Sequence, residues 1–251
     1  FNATNTASTP IFANIAVLPI FENGGVICTG IADEFVITVN PTPSVDDPLN
    51  QFICNQSLTQ AIGFTGSATG YSWTNNNQSV GLGTNAVGNI LPFTAINNTN
   101  SPVVSTLTVT PEYVGSGVTC LGSPENFTIT VNPTPSLDDP IDQTICNGTS
   151  TSLVNLVGTG TSYTWANNTT SIGLNASGSG NIPSFTASNN STSSIIAVVT
   201  FTPIFEGGGI SCPGPSQTMS FTVNPTPSMI PSTSQVICNS SLTSQVIFSG
   251  T

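Results

Sequence analysis

Short runs of alternating apolar and polar residues, separated by Pro, Gly and Asn, fill this chain. Phe127, Ile129 and Val131 alternate with Thr128 and Thr130, the period of a half-buried strand. Phe35, Ile37 and Val39 repeat the pattern, as do Phe221 and Val223. Between the first two of these strands the pattern predicts strands near 51–54, over 57–64 and over 69–75, the last with Tyr71 and Trp73 on one face. Asn75, Asn76 and Asn77 mark a turn, and short segments follow near 79–83 and 88–94. Val103 to Thr110 alternates again, with Val103, Ser105, Leu107 and Val109 on one face. A corner over 111–117, rich in Pro and Gly, leads to Cys120 and then, through LGSPEN, to the closing strand. No stretch carries a helical period. About seven short strands in about 90 residues predict an all-β fold of immunoglobulin-like β-sandwiches.

The pattern recurs. VNPTPS stands at 39–44, 131–136 and 223–228, a step of 92 residues without insertion. Tyr71 and Trp73 return as Tyr163 and Trp165; Cys28 returns as Cys120 and Cys212; Cys54 returns as Cys146 and Cys238. A fixed period of this size is the mark of a tandem array. The two prolines make each VNPTPS an extended, semi-rigid linker and the natural boundary. The expected division is a C-terminal part-repeat at 1–40, complete repeats at 41–132 and 133–224, and the start of another at 225–251. Phe1 aligns with Phe93 and Phe185, so the sequence reads as a window from a longer polypeptide.

Charge narrows the function. There are no Lys, Arg or His residues against 11 Asp plus Glu. Without cations the chain cannot neutralise phosphates, which excludes nucleic acid, nor be held electrostatically to anionic lipid. No apolar run approaches a membrane span, so direct membrane insertion is not expected. Stability must come from apolar burial, backbone ladders and disulfides. The cation-free surface also denies trypsin-like proteases a cleavage site, which fits an exposed, protease-rich setting.

Each period holds one cysteine near its first strand and one in the hairpin before its last. Cys28–Cys54 across the linker would require the extended last strand to return on itself, and disulfide Cα atoms lie within about 7 Å. With the last hairpin and the first strand placed at one pole, the expected pairs are Cys54–Cys120 and Cys146–Cys212. Cys28 and Cys238 would pair with cysteines outside the sequence. Zinc wants CxxC pairs or His, and neither is present. Disulfides imply an oxidising, extracytoplasmic compartment.

Tyr71, Trp73, Tyr163 and Trp165 are expected in the sandwich core, with a sugar-stacking platform as the alternative. Asp46, Asp47, Asp138, Asp139 and Asp142, just past the linkers, are secondary candidates for calcium; the third copy reads Met229-Ile230 there, and a solvated charge is the simpler reading. No other cofactor is expected. Catalysis has little to use: no His for a Ser triad and no GxSxG. Glu22 and Glu206 align with each other but not with Glu112, so no carboxylate pair recurs. The chain is not expected to be an enzyme. Sequons begin at Asn55, Asn97, Asn126, Asn147, Asn175 and Asn239 among others.

The order ICNGTS, YTW, TFTP, GGGISCPG, FTVNPTP resembles the PKD-like repeats of giant Bacteroidota cell-surface adhesins of the gliding-motility type, over essentially the whole chain. YSWT or YTWA stands where standard PKD domains continue into an FGDG-like turn, so the resemblance is to the divergent bacterial type. The resemblance implies an extracellular, cell-surface filament or adhesin stalk, for adhesion or gliding, with type IX secretion signals elsewhere. Its expected partners are neighbouring repeats of the same chain or filament and surface polysaccharide. The alternatives are an array of carbohydrate-binding modules and a polymerising subunit completed by strand exchange.

Overall fold

The computed structural model describes residues 2–250; Phe1, the alignment anchor of the first segment, lies outside them. The described residues are strands, loops and two single 3-10 turns, Gln78–Val80 and Thr170–Ile172. The chain separates into two compact units, Phe1–Pro133 and Thr134–Thr251.

The first unit begins with β1 (Ile11–Val17), β2 (Ile20–Asn23), β3 (Val26–Thr29) and β4 (Asp33–Val39). β1 and β4 pair antiparallel from Ile11↔Val39 to Val17↔Asp33, and β2 pairs with β3. There follow β5 (Gln51–Cys54), β6 (Gly70–Asn75), β7 (Asn85–Val87), β8 (Val103–Gly115), β9 (Val118–Leu121) and β10 (Glu125–Asn132). They form one sheet in the order β5-β10-β8-β6-β7, with β9 on β8. β5 runs parallel to β10, from Gln51 beside Ile129 to Cys54 beside Asn132.

The second unit repeats this sheet with β11 (Gln143–Cys146), β12 (Ser162–Asn167), β13 (Ser177–Ser179), β14 (Ile195–Gly207), β15 (Ile210–Pro213) and β16 (Gln217–Asn224). Each sheet is faced by a layer held by single bridges, Leu58↔Thr94 and Ile62↔Ile90 in the first unit and Ser150↔Thr186 and Val154↔Ile182 in the second. The fold is an all-β, immunoglobulin-like sandwich.

Two expected elements differ. Residues 57–64 do not form a continuous strand. Side chains take ladder positions there: Thr59 Oγ1 accepts from Phe93 N at 3.0 Å and Asn89 Oδ1 from Phe64 N at 3.1 Å. With those amides taken, backbone pairing stops at single bridges. Nor does the expected corner at 111–117 begin at Pro111: the strand continues to Gly115. β8 runs through Pro111, because proline's missing N–H falls where β8 changes partner, from β10 ending at Glu125↔Val109 to β9 beginning at Glu112↔Leu121. The turn itself is Ser116-Gly117, both at positive φ, the two-residue geometry that matches strand twist.

Alternation explains the core. Ser105, Leu107 and Val109 of β8 and Phe127, Ile129 and Val131 of β10 are buried, against Val45, Ile62, Phe64, Trp73, Val80 and Ile90. The second unit builds the equivalent cluster around Trp165, Ile172, Phe201 and Phe221. Buried Asn residues close the gaps between strands. Asn97 Nδ2 donates to the Ser101 and Val131 carbonyls at 2.9 and 2.7 Å, and Asn189 does the same to Ser193 and Val223. Asn75 donates to Leu82 and Gly83 and accepts from the Ser105 hydroxyl. A buried amide satisfied this fully replaces a missing stretch of ladder.

Candidate functional site at the linker pole

In a repeat protein the segment joining repeats is a working part. The first linker enters the folded repeat rather than hanging beside it. Pro41, Pro43 and Val45 are buried while Thr42, Ser44 and Asp46 face solvent. Proline fixes φ and restricts the residue before it, so this segment is nearly preformed before it docks. Docking uses the few backbone groups the prolines leave. The Ser44 carbonyl accepts from Ser67 N at 3.1 Å, Ser44 N donates to Ser67 Oγ at 2.9 Å, and Asp46 N donates to the Thr65 carbonyl at 2.8 Å. In the second unit Ser136 bonds Thr159 and Asp138 bonds Val157 in the same way.

Two close approaches hold the linker backbone. A Cβ at Gly122 would overlap the Pro43 carbonyl oxygen, and one at Gly66 would overlap that of Ser44. Gly214 stands to Pro135 and Gly158 to Ser136 as those two glycines do in the first unit. Bare glycine lets two backbones touch where any side chain would wedge them apart. Gly122 and Gly214 directly follow β9 and β15, so the hairpin of each repeat presses on the linker that leads into it. Asn40, the residue just before the first linker proline, donates from Nδ2 to the Gly115 carbonyl at 3.0 Å. The strand that leaves 1–40 is thereby fastened to the tip of the β8–β9 hairpin.

The cysteines sit differently from expectation. Neither Cys54–Cys120 nor Cys146–Cys212 forms: Cys120 and Cys146 are free thiols, as are Cys28 and Cys238, whereas Cys54 and Cys212 are disulfide-bonded. The reason is strand direction. Parallel pairing puts Cys54 beside Asn132, one step past the Val103↔Val131 pair. Cys120 lies beside Tyr113, ten residues along β8 from Val103. At strand rise that is on the order of 30 Å, far beyond disulfide reach. Cys146 beside Asn224 and Cys212 beside Phe205 stand equally far apart within the second unit. The whole of β5 lies toward the far pole: Gln51 sits beside Ile129, which faces Ser105, and Cys54, its last residue, lies past the Val103↔Val131 pair.

Trp73 and Trp165 are 5% and 8% exposed and lie inside the core clusters, with Tyr71 and Tyr163 packed against them. Their buried indole N–H groups have no acceptor. They offer no face for a sugar to stack on. Burial pushes the Tyr71 phenol above its ordinary value, and the Asp46 carboxylate adds to the rise.

The carboxylates past the linkers do not converge. Asp46 Oδ2 accepts from Thr65 Oγ1 at 2.7 Å. Asp142 Oδ1 accepts from Ser220 N at 2.7 Å, and at the equivalent place Asn50 Oδ1 accepts from Thr128 N at the same distance. A neutral amide thus does the work of Asp142, and that work is fastening the loop to the closing strand. Asp47 and Asp139 are exposed. Among the described residues no group of three His, Cys, Asp or Glu side chains comes together. Glu112 accepts from Ser72 Oγ at 2.6 Å, and its cross-strand neighbours are Gly70 and Leu121. Of the sequon residues, Asn97 is buried with its amide fully used, so it cannot carry a glycan once folded. No described helix is long and apolar enough to cross a membrane.

No protein-family model matches the chain, and no curated protein sequence does. Solved structures match it at low identity and with low TM-scores. Mouse protocadherin-24 EC1-3 is 13% identical over 86% of this chain and 80% of that one, with a TM-score of 0.36. Protocadherin gamma B7 extracellular cadherin domains 1–4 are 11% identical over 96% and 75%, at 0.35. The insect immune protein hemolin is 11% identical over 83% and 55%, at 0.32.

Proposed function

We propose that this chain is a spacer segment of a tandem extracellular array, the stalk of a cell-surface adhesin or filament, with no catalytic role. The observation that carries this is the linker. Two prolines fix its backbone, glycines 66 and 122 admit it into the following repeat, and Asn40 fastens the preceding strand to that repeat's hairpin. A connector built this way limits bending, whereas a Gly/Ser linker would behave as a coil. The invariant 92-residue period and the resemblance to PKD-like repeats of gliding-motility adhesins support the same reading. The disulfide-bonded Cys54 and Cys212 support an oxidising location outside the cytoplasm. The cation-free sequence supports one exposed to proteases. In such an array adhesion resides at a tip or is summed from weak contacts along the repeats.

Negative-stain electron micrographs of the native protein test this. Threads whose length grows in proportion to the number of 92-residue repeats are expected. Compact particles of fixed size would overturn the reading.

A further inference from the structure

Four of the six cysteines are free, and each is the repeat equivalent of a bonded one. Cys146 ends β11 as Cys54 ends β5, both beside the last residue of the closing strand. Cys120 stands in β9 as Cys212 stands in β15, both beside the same position of the long strand. The backbone at equivalent places is the same. What differs is the thiol: Cys212 is 1% exposed and bonded, while Cys120 is half-buried and free.

Each repeat on its own terms supplies the geometry. Its hairpin cysteine lies at the pole where the chain enters, since the glycine following that hairpin touches the incoming linker. Its strand-end cysteine lies at the opposite pole, beside Asn132 or Asn224, where the chain leaves. The two cannot meet inside one repeat. Both sit at the poles where further repeats attach.

We propose that Cys120 and Cys146, together with Cys28 and Cys238, are disulfide sites whose partners are cysteines of other repeats. Each bond joins a strand-end cysteine of one repeat to a hairpin cysteine of another. Covalent links then run along the array and not within its domains. Formation is a thiol–disulfide exchange. Two thiols lose two electrons and two protons to the disulfide of a dithiol–disulfide oxidoreductase, which leaves as the dithiol while the new S–S bond forms. The partner repeat can come from the same polypeptide or from a second copy; the chemistry is the same. The inference stands on strand direction and remains valid if the array proves compact.

The test is disulfide mapping of the native protein. Free thiols are blocked first. Cleavage then uses an aspartate- and glutamate-directed protease followed by pepsin, because trypsin has no site. Expected are Cys120 and Cys146 unblocked before reduction, in peptides joining an ICN-type segment to a hairpin segment of a different repeat. Loss of apparent mass on reduction identifies a second copy as the source; unchanged mass identifies the same chain. Peptides joining Cys54 to Cys120 or Cys146 to Cys212, or blocked Cys120 and Cys146, would overturn the proposal.

Discussion

Residues 11–39 and 103–131 carry the same strand pattern one period apart, and they fold to different ends. Both make the same antiparallel pair in the same register, β1 with β4 and β8 with β10. Yet Phe127 is 2% exposed and Phe35 is 47%; Val109 is fully buried and its equivalent Val17 is 52% exposed. What buries Phe127 and Val109 is the layer contributed by Val45, Ile62, Phe64, Trp73, Val80 and Ile90. Pairing is therefore local, set by alternation and a tight turn. Burial of Phe127 and Val109 is long-range: it comes from residues 45–90 and not from the strand pair itself.

The sharpest way to break this comparison is Phe127→Ala against Phe35→Ala. The first removes a fully enclosed ring and should cost about 3–5 kcal/mol, read as a lowered urea midpoint. Made in the 251-residue chain, the second should cost well under half as much, since Phe35 is half exposed there. Equal losses would mean that the 1–40 face is as well covered as the repeat core. Trp73→Phe should be far milder than Trp73→Ala, because the indole N–H makes no hydrogen bond to lose.

Next in size are the glycines. Gly122→Ala forces a methyl into the Pro43 carbonyl and should destabilise by about 1–3 kcal/mol, as overpacking does. At the equivalent Gly30 an added Cβ meets only the Pro19 side chain, at 2.8 Å, with no backbone in the way. Gly30→Ala should therefore cost less than Gly122→Ala in the same denaturation experiment, since a ring carbon can give more than a backbone carbonyl held in the docked linker.

Asn97→Ala leaves two backbone carbonyls without their donor and should cost about 1–3 kcal/mol. Asn5 makes the same pair of bonds, to Thr9 and Val39, from a more exposed place, so Asn5→Ala should cost less. Hydrogen exchange at the adjoining strand amides separates the two locally. Smallest are two charge tests. Asp142→Asn should leave stability unchanged within error, because Asn50 already makes that bond in the other repeat; a large loss on calcium removal that the variant abolishes would contradict this. Tyr71 is held protonated more strongly in the folded chain than in the unfolded one. Its contribution is present below the ordinary phenol value of 10.0 and should fade as pH rises past it. Tyr71→Phe should flatten that alkaline decline, measured by denaturation across pH.

The sequence by itself determined the elements and their period. Alternation placed β4, β8, β10 and β16. Aromatic residues in the middle of a strand marked what faces inward, and paired prolines marked the joints. These signals are local, and side-chain period 2 leaves little choice of face. Only the tertiary structure decided which strand runs beside which, and in what direction. Parallel pairing of β5 with β10 is invisible in residue spacing, yet it sends Cys54 to the pole opposite Cys120 and undoes the pairing that spacing suggests. The same holds for residues 57–64, where Thr59 and Asn89 occupy ladder positions that the apolar pattern assigns to a strand. The glycines at 66 and 122 look like ordinary turn residues in the sequence. Their role exists only once the linker carbonyls of Ser44 and Pro43 are brought against them, and no local pattern encodes that contact.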